Sequence, residues 1–161
     1  MANFVHLTPE SRSAHIRKNG IRRVRTPGDS GVYALPVTPN FYISHQWLRE
    51  LKRRGGVSYV GVYFRIPDDL SVNIGHYNER HLQMTAAEAV AYVINCENRL
   101  GLEVIIPRRI EPDEIYRIRK LPQTIGWKYY PESHGRRPCG CPYCQRGEYG
   151  ARKLRENYER S

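Results

Sequence analysis

Three short stretches are the most informative feature of this sequence: Val5-His6-Leu7-Thr8-Pro9, Gly31-Val32-Tyr33-Ala34-Leu35 and Leu102-Glu103-Val104-Ile105-Ile106. Each has the β-branched and apolar residues typical of a β-strand, with one polar or aromatic residue set among them. A histidine, a tyrosine and a glutamate are thus offered on three separate strands. Convergent polar groups on a rigid apolar frame suit a small-molecule site, so we expect the three to meet at one ligand.

The composition is that of one folded domain with a strong positive charge. The chain has 161 residues, of which 40% are hydrophobic and 26% charged, which argues against global disorder. Its net charge of +10 favours a polyanionic partner, such as nucleic acid or a phosphate-bearing ligand, although a basic surface without such a partner would give the same charge. No apolar run approaches the ~20 residues of a membrane helix, and no secretory signal is visible. We expect a cytoplasmic protein with no membrane partner.

The wider pattern predicts an α+β fold, in which helices interrupt the strands without regular alternation. Three helices are expected from their cap and stop residues, and they run from Thr8 to Gly20, from Ser44 to the basic residues 52–54, and from Thr85 to Gly101. Strands are expected over residues 3–6, 31–35, 57–66, 70–74, 103–106 and 115–121, with a basic loop over 22–30.

In their order and local chemistry, the three stretches resemble the ADP-ribosyltransferases of the diphtheria-toxin and poly(ADP-ribose) polymerase type. That family opens with His-Gly-Ser/Thr on a strand, followed by a helix that ends in an apolar-Gly-apolar turn. This chain has His6-Leu7-Thr8, then Ile16-Arg17-Lys18-Asn19-Gly20-Ile21. The family's Gly-apolar-Tyr-apolar-Ala is matched by Gly31-Val32-Tyr33-Ala34-Leu35, and its glutamate at the start of an apolar strand by Glu103. The resemblance implies a split β-sheet core with flanking helices.

The resemblance further implies an enzyme that transfers ADP-ribose from NAD. Glu103 would be the catalytic carboxylate, because breaking the nicotinamide–ribose bond leaves an oxocarbenium-like sugar whose positive charge a carboxylate stabilises. Tyr33 would stack on the nicotinamide ring, and His6 would hydrogen-bond a ribose hydroxyl. The other cofactor-binding candidates are the Leu7 backbone, the Thr8 hydroxyl, Gly31, and an aromatic second face from Phe41 or Tyr42. Leu7 stands where the family often has Gly, so its side chain must point away from the pocket.

The C-terminal part of the chain has the composition of a small metal-binding extension. Three of the four cysteines lie within residues 139–144, and such clustering favours metal binding over a disulfide framework. The predicted structural zinc ligands are His134, Cys139, Cys141 and Cys144, with His76, His81 or Cys96 as possible replacements for His134. We therefore divide the chain into a catalytic domain over residues 1–125 and a basic, cysteine-rich extension over residues 126–161, packed on the same domain.

These features leave more than one function open. The leading hypothesis is a mono-ADP-ribosyltransferase that modifies nucleic acid or protein, of the kind found in bacterial or phage toxins and effectors. A related hypothesis is an RNA 2′-phosphotransferase of the same superfamily, although the lone Glu103 favours transfer of ADP-ribose to a nucleophile. A different class is a non-enzymatic, zinc-stabilised nucleic-acid-binding module. That class explains the charge and the cysteines but gives His6, Tyr33 and Glu103 no role.

Overall fold

A single sheet organises the chain. The computed structural model describes residues 1–25, 30–52, 57–77, 79–123 and 125–126. Within these residues the sheet has eight strands, which are β1 (Ala2–Pro9), β2 (Val24–Arg25), β3 (Ser30–Pro36), β4 (Tyr59–Ile66), β5 (Ser71–His76), β6 (Leu82–Thr85), β7 (Leu102–Ile106) and β8 (Ile115–Lys120). The helices described are α1 (Ser13–Asn19), α2 (Phe41–Ser44), α3 (Leu48–Leu51) and α4 (Ala86–Asn95), with 3₁₀ turns at Glu10–Arg12 and Pro112–Glu114.

The strand order is β6-β5-β7-β3-β1-β4-β8, with β2 paired to β3. Each of these pairings is antiparallel. The helices lie between strands in the chain without regular alternation, which confirms the predicted α+β class. All six predicted strands are present, with their ends shifted by a few residues. Two short strands were not predicted, namely β2, which lies within the expected basic loop, and β6.

The sheet splits between β1 and β3. Strand β1 pairs with β4 along its whole length, from Ala2 to Pro9. Its pairing with β3 covers only two positions, Phe4 with Pro36 and Val5 with Leu35. From His6 onward, therefore, β1 and β3 diverge. The gap that this divergence opens in the sheet positions the candidate site.

The main hydrophobic core joins the sheet to α4. It contains the stacked pair Phe4 and Phe64, whose ring centroids lie 6.1 Å apart, together with Val104 of β7 and Ala89 and Val93 of α4. Burial of the phenylalanine and valine side chains contributes roughly 1.5–3 kcal/mol each. A smaller cluster consists of Phe41, Leu48, Leu121 and Ile125. The two clusters hold the strands on both sides of the split in place.

The capping box that opens the third predicted helix is confirmed. The Thr85 hydroxyl accepts from the backbone N–H of Glu88, and the Glu88 carboxylate accepts from the backbone N–H of Thr85. The predicted end of this helix was wrong. Helix α4 ends at Asn95, and Gly101 (φ 83°) lies in the turn before β7 instead.

The predicted start of the first helix was also wrong. Thr8 stays within β1, because that strand continues its pairing with β4 as far as Pro9. A 3₁₀ turn follows at Glu10–Arg12, and α1 begins only at Ser13. The predicted end of this helix is confirmed, since Gly20 caps α1 with a φ of 73°, a conformation that glycine adopts readily.

The second predicted helix is broken into two short ones. Asn40 caps α2, where its side chain accepts from the backbone N–H of Ile43. Ser44 is the last residue of α2, and its hydroxyl accepts from the backbone N–H of Thr38 at 2.8 Å. That hydroxyl therefore stabilises the incoming loop, and Ser44 does not cap a helix as predicted. A turn over residues 45–47 separates α2 from α3.

Apart from residue 126 itself, the predicted extension over residues 126–161 lies outside the described residues. The division of the chain into a catalytic domain and an extension therefore stays a prediction. Among the described residues, no helix has the length and apolar character needed to cross a membrane.

Candidate functional site

A cavity of about 380 Å³ lies where β1 and β3 diverge. Its volume falls in the range of roughly 300–1,000 Å³ typical of small-molecule sites. The lining residues come from β1, β2, β3, β7, the α2–α3 segment and the end of β5, and they are Val5, His6, Leu7, Val24, Tyr33, Ala34, Leu35, Ser44, Trp47, Glu50, Leu51, Tyr77 and Glu103. The structure thus brings together His6, Tyr33 and Glu103, one from each of strands β1, β3 and β7.

His6 is held in one tautomer. Its Nδ1 lies 2.7 Å from the backbone oxygen of Tyr33, and a carbonyl oxygen can only accept, so Nδ1 carries the proton. Burial lowers the pKa of His6, aided by the nearby Arg12 charge and opposed by the hydrogen bond to Tyr33. The imidazole is therefore neutral at physiological pH, and its Nε2 atom is a hydrogen-bond acceptor.

Glu103 enters the cavity from the edge of the split. Glu103 is the second residue of β7. The pairing of β7 with β3 ends at the next residue, Val104, which pairs with Ala34. On its other side Glu103 is paired with Gly75 of β5. Its side chain is only 15% exposed. A carboxylate in such a partly desolvated place acts more strongly on a nearby positive charge than one in water.

Trp47 and Tyr77 supply aromatic walls of the cavity. The indole Nε1 of Trp47 donates to the backbone oxygen of Leu102 at 2.7 Å, which ties the α2–α3 segment to the start of β7. The Trp47 and Tyr77 rings lie 5.7 Å apart, centroid to centroid. The predicted aromatic candidates Phe41 and Tyr42 do not line the cavity. The buried Phe41 stacks on His45 instead, at 3.9 Å.

Sequence reasoning missed Tyr77 and Glu50 as cavity residues. Trp47 was not predicted to be a site residue either. The available signal for Tyr77 was its position directly after a strand. Glu50 adds a second carboxylate to the lining, next to Leu51.

The remaining predicted residues of the site lie in different surroundings. Leu7 lines the cavity and also packs against the smaller core cluster. Thr8 is 3% exposed and is not among the residues that line the cavity. Gly31 also lies outside the lining, and a Cβ there would sit 2.6 Å from the Ile106 oxygen. Its role is thus the close approach of β3 to β7.

His81 is a neighbour of Glu103 that the sequence suggested only as a replacement metal ligand. Its Nε2 lies 3.1 Å from Glu103 Oε1, and its side chain is 10% exposed. This geometry fits an ion pair when the imidazole is protonated. It does not meet the angles of a hydrogen bond, and Nε2 has no hydrogen-bond partner among the described residues.

The predicted zinc ligands His134, Cys139, Cys141 and Cys144 lie outside the described residues. Within the described part of the chain, no group of three or more His, Cys, Asp or Glu side chains could hold a metal ion. His76 Nε2 lies 3.0 Å from the Asn98 oxygen, to which Cys96 Sγ also donates at 3.2 Å. Zinc therefore stays a prediction from the sequence.

Comparisons of this chain with models of protein families, with curated proteins and with solved structures found no match.

Proposed function

We propose that the protein is a mono-ADP-ribosyltransferase that transfers ADP-ribose from NAD to a macromolecular acceptor. One observation carries the proposal. His6, Tyr33 and Glu103, which stand on three separate strands, line the same cavity at the split of the sheet. This arrangement agrees with the order of motifs that resembles the transferase family.

Glu103 supplies the charge that the reaction needs. Loss of nicotinamide from NAD leaves positive charge on the ribose, and a fixed carboxylate stabilises that charge as it develops. Because the Glu103 side chain is largely shielded from water, its effect is weakly screened. The carboxylate also orients a ribose hydroxyl, while the acceptor nucleophile attacks the anomeric carbon of the ribose and nicotinamide leaves with the electron pair of the broken bond.

The neighbouring groups hold the dinucleotide in place. Tyr33 stacks on the flat nicotinamide ring, and Trp47 provides a further aromatic surface in the same cavity. The neutral His6, with Nδ1 bonded to the Tyr33 oxygen, presents Nε2 as an acceptor for a ribose hydroxyl. Leu7 offers backbone groups at the point where β1 has lost its pairing with β3.

The basic segment around Val24, next to the cavity, favours a polyanionic acceptor. Val24 lines the cavity, and the adjacent side chains of Arg22, Arg23 and Arg25 are exposed. Together with the net charge of +10, this basic segment suits the phosphates of nucleic acid. We propose nucleic acid as the first acceptor to test, with protein as the other.

The test uses NAD labelled in its adenylate phosphate. The full chain is incubated with labelled NAD and with single-stranded DNA, RNA or a protein pool, while nicotinamide release and acceptor labelling are measured. We expect labelling of one acceptor class, and a loss of about 10²–10³-fold in Glu103→Gln. Glu97→Gln is the matched control, because Glu97 is exposed and lies outside the cavity lining.

The outcomes separate the competing functions. No nicotinamide release with any acceptor, or an equally active Glu103→Gln variant, refutes the transferase. Tight oligonucleotide binding without NAD turnover points to the non-enzymatic nucleic-acid-binding module. NAD-dependent loss of phosphate from a 2′-phosphorylated RNA points to the phosphotransferase.

A further inference from the structure

The imidazole of His81 lies against the candidate catalytic carboxylate. His81 Nε2 is 3.1 Å from Glu103 Oε1, and the two side chains are 10% and 15% exposed. Nε2 is buried without a hydrogen-bond partner among the described residues. A buried polar atom in this condition costs free energy, and the Glu103 carboxylate is the compensating group within reach.

The backbone makes a place for His81 beside Glu103. Residues 77–81 connect β5 to β6, and His81 directly precedes β6. Gly75 stands opposite Glu103 in the β5–β7 ladder, so a side chain at position 75 would point to the same face as Glu103. A Cβ there would lie 3.2 Å from both Cα and Cδ2 of His81. The imidazole thus lies close to the space that the missing side chain leaves.

We propose that His81 is a positioning residue, which fixes the carboxylate of Glu103 within the cavity. This inference rests on the proposed function of Glu103. The present contact is close but poorly aligned, and catalytic hydrogen bonds often tighten only when substrate is bound. Fixing matters because displacement of a reacting group by about 1 Å can cost roughly 10²-fold in rate.

Steady-state kinetics of the full chain with NAD tests the inference. In His81→Ala we expect kcat to fall by about 10–100-fold while KM for NAD changes less than about twofold. His81→Gln keeps a side-chain N–H donor and should recover part of the loss. Gly75→Ala changes neither His81 nor Glu103, but its Cβ would crowd His81. This variant should therefore also lower kcat. A kcat in His81→Ala within about twofold of the wild type overturns the inference, as does an equal loss in both His81 variants.

A second measurement needs no activity. In protein with ¹⁵N-labelled histidine, Glu103→Gln should move the imidazole resonances of His81, assigned by their absence in His81→Gln. The surface change Glu97→Gln should leave them in place. If the wild-type protein releases no nicotinamide, the proposed function fails. The imidazole resonances of His81 still show whether His81 and Glu103 interact. Unmoved His81 resonances in Glu103→Gln overturn the pairing whether or not NAD is consumed.

Discussion

We expect the buried histidine His45 to make the stability of the fold depend on pH. Its side chain is 2% exposed and stacks on Phe41. Nδ1 lies 2.8 Å from the Phe41 oxygen, so it donates there, and Nε2 lies 2.8 Å from the Tyr63 hydroxyl. With one proton, on Nδ1, the ring satisfies both partners, because Nε2 then accepts from Tyr63. The fold therefore selects the neutral imidazole.

The size of this loss of stability at low pH follows from the shift in the pKa of His45. Burial lowers the pKa of His45 from 6.5 to about 4, opposed by the hydrogen bond to Phe41 and aided by the charge of Arg119. Above pH 6.5 both the folded and the unfolded states hold neutral His45. Between pH 6.5 and about 4 only the unfolded state takes up the proton, so the free energy of unfolding falls by about 1.4 kcal/mol per pH unit. The total loss is about 3 kcal/mol, and it is complete below pH 4.

Urea denaturation at a series of pH values from 8 to 4 measures this loss. His45→Gln removes the titrating group, so its free energy of unfolding should fall by about 3 kcal/mol less than that of the wild type over the same range. The comparison uses the pH dependence of each protein, so a constant loss of stability in the variant does not affect it. His15→Gln, on the exposed face of α1, is the matched surface control. Parallel pH dependences in the wild type and His45→Gln would refute the reasoning.

Two further changes test the packing and the cavity. Gly31→Ala should destabilise the protein by about 1–3 kcal/mol in urea denaturation, because its Cβ would lie 2.5 Å from Ile105 Cγ2 and 2.6 Å from the Ile106 oxygen; an unchanged midpoint would contradict this. NAD should quench the intrinsic fluorescence, since Trp47 lines the cavity. The quench should disappear in Trp47→Phe and persist in Trp127→Phe, these being the two tryptophans of the chain; the reverse pattern would show that NAD binds elsewhere.

The sequence predicted elements whose cause is local. The strands around His6, Tyr33 and Glu103 follow from runs of β-branched and apolar residues. The start of α4 follows from the reciprocal bonds of Thr85 and Glu88, which need only three residues of separation. The convergence of the three polar residues on one cavity was also predicted, because polar groups on separate apolar strands suit one small-molecule site.

Elements decided by distant contacts were missed. Thr8 has the local chemistry of a helix cap, but pairing with β4 keeps it in a strand. Ser44 has the same chemistry, but its hydroxyl accepts from Thr38. The place of His81 depends on the β5–β6 connection and on the lack of a side chain at Gly75, where a Cβ would lie 3.2 Å from His81. None of these contacts can be seen in a short window of sequence.

His6 links the shape of the sheet to the proposed chemistry. If the register of β1 and β3 continued past Val5 and Leu35, the two strands would close over the cavity. The imidazole of His6 instead donates to the Tyr33 oxygen, so a side chain satisfies that carbonyl where the strands part. Substitution of His6 would therefore change both the split and the proposed substrate contact, and a loss of activity would not distinguish them. Glu103 offers a cleaner test of the chemistry, because Glu103→Gln preserves the side-chain shape while removing its charge.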